Sequence, residues 1–112
     1  MNELRNIRDE EKLLIQFLLS QIGLTEAEYP IAQEVSEYEG GFMGSISMAG
    51  SDPGLYDGDL VQVEYTDADG VEVIISLTRD KNGRLLDLDF WKTDFSKLRR
   101  YPTPEALTIL RK

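Results

Sequence analysis

An α+β domain is predicted, with an N-terminal helix packed on an antiparallel sheet of about five strands and a short C-terminal helix, because the apolar period changes along the chain. Up to Ile22 apolar residues recur every three or four positions; from about residue 33 to Phe90 they recur every second position, with glycine-bearing turns between the runs. Size is the third observation: 112 residues with 41% apolar content suit one core, so residues 1–112 are expected to form a single domain.

Asn6, followed by Asp9, Glu10 and Glu11, reads as a helix start, since a side-chain acceptor and nearby carboxylates suit the free amides at that end. Gly23 reads as its stop, and Leu14, Phe17, Leu18 and Ile22, with Leu13 alongside, make the apolar stripe. Thr25 to Pro30 reads as a connection. Gln33 to Tyr38 is a weak strand, and Phe42, Gly44, Ile46 and Met48 alternate with Met43, Ser45 and Ser47 in a better one, with a turn at Glu39-Gly40-Gly41. A meander of three strands follows. Val61, Val63 and Tyr65 line one face of the first, and Val71, Val73, Ile75 and Leu77 one face of the second. Leu86, Leu88 and Phe90 line the third, opposite Asp87, Asp89 and Trp91. Asp67-Ala68-Asp69-Gly70 and Asp80-Lys81-Asn82-Gly83 are the hairpin loops, with glycine where a left-handed residue is needed. Thr103-Pro104-Glu105 reads as the start of the C-terminal helix, with Ala106, Leu107 and Leu110 as its apolar side.

Charge is distributed unevenly. The chain holds 21 acids, 12 bases and no histidine, a net charge of −9. Between Leu13 and Thr78 there is no lysine or arginine but twelve acids, whereas Arg79 to Lys112 holds nine bases and five acids. Nucleic-acid affinity comes mainly from Lys and Arg on phosphates, so no nucleic-acid partner is expected. A basic protein partner is expected instead, because an acidic surface steers it and speeds its association. Asp57, Asp59, Glu64, Asp67 and Asp69 are the expected contact residues, joined by Glu37 and Glu39 if the strands bring them near, and by Trp91 if it is presented rather than packed.

The chemistry available is narrow. Without His and Cys there is no imidazole base, thiolate, disulfide or cysteine zinc site, so neither catalytic residues nor metal or other cofactors are expected, and the chain is not expected to be an enzyme. Paired carboxylates such as Asp57/Asp59, Asp67/Asp69 and Asp87/Asp89 are also the ordinary content of turns and solvated strand faces. Thr78 to Asp89 echoes a calcium loop, yet its first ligand position is Thr, its last is Asp, and strands flank it; a hairpin explains it. The Gly40 to Ser45 stretch lacks the lysine and following helix of a phosphate loop. The first residues do not read as a signal peptide and the apolar run Leu13 to Leu19 is too short to span a bilayer, so a cytoplasmic protein without membrane contact is expected.

Arg8-Asp9-Glu10-Glu11-Lys12-Leu13-Leu14-Ile15, the Gly-Gly-Phe-Met-Gly-Ser turn, the Tyr65 to Val71 hairpin, and Ser76-Leu77-Thr78 through Leu88-Asp89 to Trp91-Lys92-Thr93-Asp94-Phe95-Ser96 resemble a family of small bacterial proteins of unknown function. The resemblance covers most of the chain and implies no activity. In kind, though not in motif, such small acidic α+β proteins also resemble immunity proteins, which neutralise bacterial toxin domains by binding them. The function expected is therefore an immunity or inhibitor protein docking a basic toxin domain, in some cases a nuclease. The alternative is a self-associating structural or regulatory module, so a monomer or a homodimer is expected.

Overall fold

The computed structural model describes residues 3–38 and 42–111. Helix α1 spans Asp9–Gln21. The strands among the described residues are β1 (Leu4–Asn6), β2 (Glu34–Glu37), β3 (Ile46–Met48), β4 (Tyr56–Thr66), β5 (Glu72–Asp80), β6 (Leu85–Lys92) and β7 (Thr108–Arg111). They form one seven-stranded antiparallel sheet in the order β1-β2-β3-β6-β5-β4-β7. The α+β class and the β4-β5-β6 meander are as expected from the period of two; the strand count and the C-terminus are not.

Both extra strands lie at sheet edges. Three-residue β1 is too short to show alternation, and β7 replaces the expected helix. Only a single 3-10 turn forms over Pro104–Ala106, after which β-branched Thr108 and Ile109 pair with Glu64 and Val63 of β4. Tertiary pairing thus overrides the proline start signal. Short edge strands also limit pairing with other chains.

The helix begins two residues later than its polar start suggests, with Arg8 in place of Asn6 at the cap. Asn6 pairs with Glu34 in β1, and Glu11 reaches back to accept a hydrogen bond from the Arg8 amide at 2.8 Å. Gly23, at φ 73°, follows its end. Leu14, Ile15, Leu18 and Leu19 are the buried positions, while Leu13 is exposed, so the stripe is rotated from the one expected. These four join Val35, Ile46, Met48, Val61, Val63, Tyr65, Val73, Ile75, Leu77, Leu85, Leu88 and Phe90 in one core on one face of the sheet. A register shift between Leu77 and Arg79 brings Leu85 into this cluster, and Leu86 is buried outside it.

The segment after β6 folds back under the same face and is fastened by a buried lysine. Lys92 follows Trp91, so its side chain points to the opposite face, where it is 0% exposed. Its ammonium donates to Asp67 Oδ2 at 2.9 Å, Asp69 Oδ2 at 2.6 Å and the Lys97 carbonyl at 2.9 Å, which uses all three protons. Asp67 is equally occupied. It accepts from Lys92 and the amides of Ala68, Arg99 and Arg100 at 2.7–2.9 Å. Burial opposes its ionisation, but the Arg99 amide and the Lys92 ammonium outweigh that and hold its pKa below the usual carboxylate range. Lys92 behaves likewise: burial works against its charge, while Asp69 and Asp67 hold its pKa above the ordinary value. The hairpin loop, the end of β6 and residues 97–100 are tied at one point.

Lys92→Met is expected to lower the melting temperature far more than Lys97→Met, since it leaves two carboxylates facing an apolar chain. Adding Asp67→Asn to Lys92→Met should cost less than the sum of the single changes in a thermal-melt cycle; strict additivity would show that the two groups are not coupled. Because the pKa values of Asp67 and Asp69 are lowered in the fold, their contribution is present above the unfolded value of about 4 and is lost as pH falls through the native values.

Candidate functional site

Among the described residues no helix covers the face of the sheet opposite α1, and its side chains follow from the alternation. Across its middle run small polar residues: Gln62 opposite Ser76, Ser76 opposite Asp89, and Ser47 opposite Asp87. Large side chains stand on either side. Trp91 pairs across with Ile74, Tyr38 extends from the end of β2, and Tyr56 stands at the start of β4. Small residues in the centre and aromatic ones at the margins make a groove in two continuous parts. One part, about 350 Å3, is lined by Tyr38, Met43, Ser45, Asp87, Asp89, Phe90, Trp91 and Phe95. The other, about 310 Å3, is bordered by Tyr56, Asp59, Gln62, Ser76 and Thr78 and shares Asp87, Asp89 and Trp91 with the first.

Two backbone features shape this groove. Strict alternation from Val61 would put Asp59 on the core side, but the register shifts between Asp59 and Val61 and the carboxylate emerges on the open face, where it accepts from Tyr56 Oη at 2.7 Å. Phe95 has φ 62°, a left-handed conformation costing a bulky residue about 1–2 kcal/mol. Its amide donates to the Lys92 carbonyl at 2.9 Å, and the Leu98 amide to the Phe42 carbonyl at 3.0 Å, so the neighbouring contacts enforce the turn. The result is an exposed Phe95 ring, 67% accessible, 6.4 Å from a Trp91 ring that is itself 50% accessible.

The family model for a domain of unknown function, DUF6984, matches residues 4–102. The chain belongs to this family. No curated protein and no solved structure matches it. The matched span contains every residue lining the groove and all of the Lys92 fastening, and stops before β7.

The expected contact residues do not converge. Asp59 and Trp91 line the groove, and Glu64 stands on the same face of β4, opposite Ile74, outside the groove lining. Asp67 is buried, and all its acceptor positions are used inside the fold. Asp69 is committed to Lys92 and lies 3.7 Å from Arg99, and Asp57 lies 3.5 Å from Arg79. Glu37 is on the helix side, paired with Arg5 at 3.1 Å and Arg8 at 3.6 Å, and Glu39 lies outside the described residues. Missing from that set were Asp87, Asp89, Tyr38 and Phe95. For the two aspartates the signal was present, since they share a strand face with Trp91 at a spacing of two.

Electrostatically the groove is unbalanced. Among the described residues no lysine or arginine lines either part, and none of Asp59, Asp87 and Asp89 is in an ion pair. Asp87 accepts from Tyr38 Oη at 2.8 Å and Asp89 from Ser45 Oγ at 3.4 Å. Partial burial pushes the pKa of both aspartates up, and the charge of Asp89 on Asp87, and of Asp59 on Asp89, adds to it. Burial raises Tyr38 in the same way, and Tyr56 is raised by its hydrogen bond to Asp59. Among the described residues no three acidic groups converge closely enough to hold a metal ion.

An aspartate whose native pKa lies above the unfolded value of about 3.9 stabilises the fold below that value, and this contribution is lost as pH rises through the native pKa. Asp87→Asn and Asp89→Asn are therefore expected to raise the melting temperature at pH 7, less for the more open Asp89, and to change it little near about pH 3. The facing groups that set this response are Asp59, Tyr38, Tyr56 and the other aspartate of the pair. Thermal melts at the two pH values check the sign.

Proposed function

We propose that this protein binds a basic protein partner on the open face of its sheet, and that its class is the immunity or inhibitor protein that covers the site of a toxin domain. The observation that carries this reading is the groove's three unpaired carboxylates, Asp59, Asp87 and Asp89, set among Trp91, Phe95, Tyr38 and Tyr56 without a base. Unpaired acids raise the association rate with a positively charged surface, and exposed aromatics supply the buried anchor area that acids alone lack. Binding, not catalysis, is the role proposed, because the groove offers carboxylates and phenols but no imidazole or thiol.

Self-association through the same face is the less favoured reading. A two-fold contact there would set each copy's acids against their own counterparts. Light scattering on the purified protein is expected to give a mass near 12.7 kDa, that of one chain.

The test is capture from the native host's lysate at low salt on immobilised wild type and on Asp59→Asn/Asp87→Asn/Asp89→Asn, with elution by rising salt. A basic toxin-like domain held by the wild type, released by salt and at least tenfold depleted on the variant is the expected outcome. Equal recovery on both would overturn the assignment of the face.

A further inference from the structure

We infer that the part of the groove between Tyr38 and Trp91 is a subsite for a single arginine side chain, presented by the partner, with Asp87 and Asp89 taking its guanidinium and Trp91 and Phe95 covering its flat face. This deepens the reading above and rests on it for the origin of the arginine, though not for the chemistry of the subsite.

Shape, spare acceptors and charge all favour this occupant. A cavity of about 350 Å3 is at the small end for ligand sites and suits one long side chain, not a fold-sized surface. Asp87 and Asp89 leave β6 on the same face, with Tyr38 donating to Oδ1 of the first and Ser45 to Oδ1 of the second. A carboxylate has about four acceptor positions, so each retains an oxygen for a further donor. The indole and phenyl rings beside them, tilted 46° to each other, offer π faces to a cation. Two carboxylates under an aromatic wall form a two-sided environment. A guanidinium meets it with planar forked donors and two weakly hydrated faces, whereas a lysine ammonium is a compact, strongly hydrated point charge. The three acids leave a net negative groove that a cation would neutralise, and among the described residues no lysine or arginine lines it to do so.

The strained Phe95 turn fits the same role. A bulky left-handed residue held in place by its neighbours and pointing an exposed ring toward the groove contributes little to the core. As the outer wall of an arginine slot it has a use that its exposure alone leaves unexplained.

Trp91 is the chain's only tryptophan, so its fluorescence reports the subsite directly. The experiment titrates the purified chain with a capped tripeptide, acetyl-Gly-Arg-Gly-amide, and in parallel with the lysine and citrulline versions. Citrulline keeps the shape and removes the charge. A saturable change with the arginine peptide is expected, with an affinity in the millimolar range, roughly tenfold weaker binding of lysine and none of citrulline. Asp87→Asn/Asp89→Asn should abolish the response, and Phe95→Ala should weaken it severalfold, with circular dichroism verifying that both variants fold. No saturable change, an equal response to citrulline, or a response that survives in the double aspartate variant would each overturn the subsite. Saturation by the arginine peptide together with no basic partner in the lysate capture would leave the subsite standing and remove the inhibitor reading. A captured partner that binds without any arginine-peptide response would do the reverse.

Discussion

A lysine with no exposed surface in a chain of 112 residues must have every proton accepted, and meeting that demand at Lys92 organises much of the molecule. Its acceptors come from the β4-β5 loop and from the carbonyl of Lys97, and Asp67 passes the connection on to the amides of Arg99 and Arg100. Residues 93–102 are thereby held against the sheet, with the Tyr101 ring 5.4 Å from that of Phe90 and tilted 41° to it, and Tyr65 Oη donating to the Arg100 carbonyl. The same anchorage sets where the chain leaves β6, and so where Phe95 stands. Two adjacent residues, Trp91 and Lys92, divide the work by strand geometry alone: one faces the groove and the other fastens the fold beneath it.

Charge in the folded protein is arranged differently from charge along the chain. Part of the acidic middle is answered from both ends, by Arg5 and Arg8 on Glu37, Arg79 on Asp57, and Lys92 on Asp67 and, with Arg99, on Asp69. Among the described residues three carboxylates in no ion pair line the groove of the open face, and two of them, Asp87 and Asp89, come from the base-rich C-terminal third. Ion pairing between distant segments takes up part of the acidic stretch, and the open face adds a local group of acids that the charge pattern along the chain does not show.

Much of the candidate site was legible in a weak form. The alternation of residues 42–48 puts Ser45 and Ser47 on one face of that segment, and the alternation of β6 puts Asp87, Asp89 and Trp91 on one face of its own. Joining the two needs the β3-β6 pairing, which skips over β4 and β5 and has no local signature. Asp59 was named for its charge but owes its position to a bulge, and Asp67 was named for the same reason and is buried. Charge identity is a property of the residue; accessibility is a property of its neighbours.

The sequence by itself determined the elements whose period is long enough to read: one amphipathic helix ended by Gly23, and three alternating strands joined by loops with Gly70 and Gly83 in left-handed conformations. It determined the chemistry on offer too, with carboxylates and phenols in place of imidazole and thiol. Only the tertiary structure decided that the chain after Pro104 becomes a strand, that β1 exists, which acids are spent inside the fold and which remain on its open face. The reason is physical. Periodicity and turn conformation depend on residues a few positions apart, whereas edge pairing, bulges and ion pairs depend on partners brought together from up to the length of the chain.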